Sequence, residues 1–65
     1  MEYTDLEIEC FDYLEELRQS GVTNMFGARP YLMDAFDLDK REAGRILALW
    51  MKDYPYLMEL RGWER

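Results

Sequence analysis

Apolar residues recur at three- and four-residue steps through the first twenty positions. Leu6, Cys10, Tyr13, Leu14 and Leu17, with Tyr3 just ahead of them, make one stripe of an α-helix. Thr4 followed by Glu7 matches the S/T-x-x-E capping box, which places the helix start at Asp5. Asp5 and Glu7 also suit the positive end of the helix dipole. Ser20-Gly21-Val22 reads as the stop, with Gly21 in the left-handed conformation and Val22 folding back on Leu17. Ile8 and Phe11 fall off the main stripe, on the flank beyond Leu14. The pattern therefore requires a later segment, or a partner, to cover them.

The connector from Ser20 to Pro30 holds Met25 and Phe26, two large apolar side chains expected to plug the bottom of the core. Thr23 and Asn24 are turn or cap formers, and Gly27 frees the backbone where the chain bends. Pro30 opens a second, short helix at a position where its missing N–H costs nothing. Tyr31, Leu32, Met33, Ala35 and Phe36 make that helix apolar on nearly every side, a pattern for the middle of a bundle or an interface. Asp39 and Glu42 repeat the capping pair, with Leu38 placed to staple onto Ala43.

The third helix is expected from about Lys40 to about Lys52, with Ala43, Ile46, Leu47, Trp50 and Met51 facing inward. Gly44 in mid-helix costs ~1 kcal/mol relative to alanine, so another backbone is expected close to it. Pro55 would then open a last short helix whose Leu57, Met58 and Leu60 fold back toward Ile8 and Phe11. Gly62 ends it and leaves Trp63 as a hook. The expected fold is all-α: one domain over residues 1–65, a compact three-helix bundle with a short C-terminal helix or hook. Helices two and three have a helix-turn-helix outline.

Charge changes this picture more than composition does. The net charge is −6, and residues 1–20 hold seven acids against Arg18, while residues 21–65 hold seven acids and seven bases. The imbalance belongs wholly to this first segment. Asp5, Glu9, Asp12 and Glu16 repeat at steps of 4, 3 and 4 and form a row away from the apolar stripe. Such a row is a solvated face, a docking surface for a basic partner, or a crude imitation of a phosphate row, for which one stripe at ~6 Å spacing is sparse beside one phosphate per ~3.4 Å of a DNA strand. Tyr54, Tyr56 and Trp63 are surplus aromatics of the kind that anchor interfaces. Arg41, Arg45 and Lys52, with Lys40 close by, form the one basic stripe, which would touch nucleic acid in a helix-turn-helix reading and is otherwise a solvated face.

Catalytic chemistry finds little support. The chain has no histidine to act as a base near neutral pH, and Cys10 lies on an apolar stripe with no activating partner. A lone cysteine forms no intrachain disulfide, which points to a reducing, cytoplasmic setting. Asp34, Asp37 and Asp39 lack the glycine and closing glutamate of a calcium loop and read as helix-end residues. No metal or cofactor is expected. No apolar run approaches ~18 residues, so no membrane span is expected, and the acidic start does not fit a signal peptide. At this length a folded chain buries only ~60% of its unfolded surface, and homodimerisation is one way to enlarge the core.

The stretch Ser20-Gly-Val-Thr-Asn-Met-Phe-Gly-Ala28, with Pro30-Tyr-Leu32, Leu38-Asp-Lys-Arg-Glu-Ala43 and Leu49-Trp-Met51, resembles a group of small, mostly uncharacterised proteins of tailed bacteriophages and prophages. The likeness covers roughly residues 13–52. It implies expression in the host bacterial cytoplasm, and a binder that engages or inhibits a host or phage protein. The expected function is therefore a protein-binding module working through the acidic helix and aromatic surface. The alternative is a dimeric helix-turn-helix regulator of nucleic acid.

Overall fold

A computed structural model describes residues 3–21 and 27–62. Within them the chain forms three helices, α1 (Asp5–Ser20), α2 (Arg29–Phe36) and α3 (Lys40–Arg61), packed as an all-α bundle. Both ends of α1 form as their residues dictate. Glu7 N–H donates to Thr4 Oγ1 at 3.1 Å and Thr4 N–H donates to Glu7 Oε1 at 3.0 Å, a complete capping box. Gly21 closes the helix at φ 72°, in the left-handed region where a Cβ is unwelcome, and its N–H reaches the Arg18 carbonyl. Val22, Met25 and Phe26, to which contacts were assigned, lie outside the described residues.

Pro30 stands in the first turn of α2, as expected. The helix itself is not central. Leu32 is its one fully buried residue, Met33 and Phe36 are half-buried, and Tyr31 and Ala35 face outward. An eight-residue helix lying on the outside of a small bundle has room to bury only one narrow face, whatever its composition. Asp37 ends α2 in the left-handed conformation (φ 55°), which aspartate tolerates better than bulky residues do. Asp39 then caps α3, accepting the Glu42 N–H at 2.7 Å. Three residues thus turn the chain from α2 into α3.

The third helix departs most from expectation. It does not stop near Lys52 for a new helix to start at Pro55. It runs unbroken through Pro55 to Arg61 and ends at Gly62 (φ 71°). Proline removes the N–H that would reach the Met51 carbonyl, but burial of Leu57 and Met58 beyond it favours continuation. Those two side chains do fold back to the core, whereas Leu60 is 56% exposed. Gly44 also differs from expectation: a Cβ there would meet the Arg29 side chain at 3.5 Å and no backbone.

The core gathers Tyr3, Cys10, Phe11, Leu14 and Leu17 from α1 and its entry, Leu32 from α2, and Ala43, Ile46, Leu47, Trp50 and Leu57 from α3. Phe11, off the expected stripe, is fully buried and meets Tyr3 edge-on at 5.2 Å. Leu6, on the expected stripe, is 38% exposed. The core-facing strip is thus rotated toward Phe11. The reason is the angle between helices: α1 touches α3 at Tyr3–Asp53, Glu7–Arg45 and Glu15–Tyr54, a partner order no side-by-side alignment produces. The two helices cross, so the buried face of α1 turns along its length.

Pro55→Ala should raise stability by about 1–3 kcal/mol by restoring a helix hydrogen bond, read as a higher urea midpoint with unchanged slope. A lower midpoint would mean that the proline ring stabilises the helix where it stands.

Candidate protein-docking face

Two carboxylates on α1 point inward. Glu7 is 7% exposed and Glu15 is 3% exposed. The spacing Tyr3, Glu7, Cys10, Leu14, at steps of 4, 3 and 4, already carries Glu7 on the buried strip. Its role as a capping residue hid this. Glu7 uses both oxygens: Oε1 accepts the Thr4 N–H, and Oε2 accepts Arg45 Nη1 from α3 at 2.9 Å. Arg45 also holds Glu42 with two further bonds, at 2.9 and 2.6 Å. Glu15 accepts from Arg18 (2.7 and 3.2 Å), Gln19 (2.8 Å) and the Tyr54 hydroxyl of α3 (3.0 Å).

Both carboxyls titrate below the ordinary glutamate value. For Glu7 the Thr4 N–H is the largest cause, burial works against it, and Arg45 adds to the lowering. For Glu15 burial is the largest influence and pushes upward, but the donors from Arg18, Gln19 and Tyr54 together outweigh it. Each glutamate is therefore held ionised in the bundle, and each ties α1 to α3.

The consequence for the surface is a division of charge. Arg18 and Arg45 are committed to the inward acids. The outward row keeps its charge: Asp5, Glu9 and Glu16 are exposed and, among the described residues, engaged by no ion pair, with Asp12 half-buried between them. Leu6 lies along one edge of this row, one helical turn before Glu9. The outer face of α1 thus joins like charges to an exposed leucine.

The other sequence-nominated residues separate. Tyr54 is half-buried, bonds to Glu15, packs edge-on against Trp50 at 4.7 Å and lies under the Arg18 guanidinium at 5.7 Å, so its hydroxyl and ring are both engaged within the fold. Tyr56 is 44% exposed, and Trp63 lies outside the described residues. Of the three aromatics, the described residues thus place only Tyr54 and Tyr56, one half-buried and one exposed. Of the basic stripe, Lys40, Arg41 and Lys52 are exposed without an ion pair among the described residues. Arg45, its middle member, is held by two carboxylates, and Asp39 with Glu42 puts acid at the end of α3 that a helix-turn-helix aims at DNA.

Burial, and then the neighbouring Glu9, Glu42 and Glu7, push the Cys10 thiol up to about 11, so it is a protonated hydrophobe at neutral pH. Among the described residues no group of three acids or cysteines is placed to hold a metal ion, and no helix is long and apolar enough to cross a membrane. Comparison with protein-family models, curated proteins and solved structures returns no match to this chain.

Tyr54→Phe should cost about 1–3 kcal/mol at neutral pH, since it removes a donor from a buried charge. Because Glu7 and Glu15 are depressed in the folded state, their contribution is present above the ordinary carboxyl value of 4.5 and is lost as pH falls through the depressed values. Thermal unfolding across acid pH should show that loss in the native chain, and a smaller loss in Glu7→Gln. An identical pH profile for the two proteins would rule out Glu7 as a source of acid sensitivity.

Proposed function

We propose that this chain is a small phage-encoded binding module that lays the outer face of α1 on a basic surface of a host or phage protein. One observation carries the reading. The fold spends Arg18 and Arg45 on the two inward glutamates and leaves Asp5, Glu9 and Glu16 uncompensated beside an exposed Leu6. A stability-driven surface would intersperse bases along such a row, because like charges one turn apart repel by a few tenths of a kcal/mol per pair, or about 0.2–0.5. A basic partner converts that repulsion into complementarity and speeds encounter. The phage origin rests on the sequence resemblance, and a bacterial cytoplasmic setting follows from it.

The test is capture from bacterial lysate with a tagged chain and two charge-reversed variants. Asp5→Lys/Glu9→Lys/Glu16→Lys should lose a stoichiometric partner that the native chain retains at low salt and releases at high salt. Arg41→Glu/Lys52→Glu should retain it. Equal capture by all three proteins would overturn the assignment of α1 as the docking face.

A further inference from the structure

Between them, α2 and α3 form a shallow groove lined by Arg29, Gly44, Leu47, Ala48 and Met51. Its features combine in a way that none shows alone. Gly44 and Ala48 stand one turn apart on α3, so the groove floor there is low, and the space above Gly44 holds only the flexible Arg29 side chain. Ala48 is exposed although its neighbour Leu47 is buried. Around this floor stand Arg29, Arg41 and Lys52, all exposed and all without an ion pair among the described residues. A low apolar floor ringed by uncompensated bases fits a helix that presents acids along one face.

The chain itself contains such a helix. Asp5, Glu9, Asp12 and Glu16 repeat at steps of 4, 3 and 4, and Arg41, Arg45, Ala48 and Lys52 repeat with the same steps over the same length of helix. Because the spacing reads alike in both directions, the end acids, Asp5 and Glu16, meet the end bases, Arg41 and Lys52, whether the helices run parallel or antiparallel. The small Ala48 lies at one inner position, and Arg45, already bound to Glu7 and Glu42, at the other. We propose that this groove seats the α1 row of a second copy of the chain. The contact is heterologous, one copy's row in the next copy's groove, so the assembly grows head to tail unless it closes. It rests on the preceding reading only in treating the α1 row as a docking surface, and it requires no foreign partner.

Sedimentation of the purified chain alone tests this. At low salt the average mass should rise with concentration above the 7.9 kDa monomer, and at high salt it should return to 7.9 kDa. Reversing the row (Asp5→Lys/Glu16→Lys) or the rim (Arg41→Glu/Lys52→Glu) should each leave a monomer, and mixing the two variants should restore association. Ala48→Glu, a change on an exposed helix position that spares the core, should abolish self-association with helical circular dichroism intact. A monomer at every salt and concentration would overturn the proposal, as would a mixture that fails to reassociate. Association that survives high salt or the row reversal would overturn it in favour of another surface. A monomer that instead binds a duplex oligonucleotide through Arg41 and Lys52 would overturn it in favour of nucleic acid. Since only this protein is in the cell, failure here leaves lysate capture by the α1 face unaffected.

Discussion

Two ionised glutamates inside a very small bundle set the terms for everything else. Removing a carboxylate from water is costly unless charge and hydrogen bonds replace the solvent. Glu7 meets that demand with the Thr4 N–H and Arg45, and Glu15 with Arg18, Gln19 and Tyr54. Because Arg45 and Tyr54 belong to α3, satisfying the glutamates locks the crossing of α1 over α3. An apolar core alone specifies that crossing loosely, since leucine and phenylalanine repack with little angular preference. The polar ties give it a register.

The same ties decide what remains on the outside. A chain with an acidic first helix and a neutral remainder could have neutralised itself across the surface. Instead one arginine from each of two helices turns to the inward glutamates, and the outward Asp5, Glu9 and Glu16 and the bases Arg41 and Lys52 enter no ion pair among the described residues. Which charges remain on the surface therefore follows from how the buried carboxylates are satisfied. Tyr54 follows the same logic: an aromatic suited to an interface is used as a donor to a buried charge.

Much of the helix architecture was legible in the residues. Thr4–Glu7, Gly21, Pro30, Asp39 and Gly62 each act locally, through hydrogen bonds and backbone angles within a few positions, so their meaning does not depend on distant parts of the chain. Misreadings arose where a distant contact outweighed a local rule. Pro55 is a local breaker, yet Leu57 and Met58 beyond it have a core to enter. Gly44 suggests a close backbone, yet the neighbour that arrives is a flexible arginine. Leu6 lies on the expected stripe yet is partly exposed, because the buried face of α1 is shifted toward Phe11, which the pattern required something to cover.

The acidic row shows the division between the two sources most clearly. Sequence by itself determined that Asp5, Glu9, Asp12 and Glu16 share one helical face, because a 3.6-residue period needs no tertiary information. It also located the start of each of the three helices and the end of the first, since caps and glycines act within a few positions. Only the tertiary structure decided which acids and bases are consumed: Arg45 to Glu7 spans 38 positions and Tyr54 to Glu15 spans 39. Charge pairing falls off over a few ångströms, whereas the chain brings such partners together only through the packing of whole helices. The pattern of charge could be read along the line, but its compensation exists only in three dimensions.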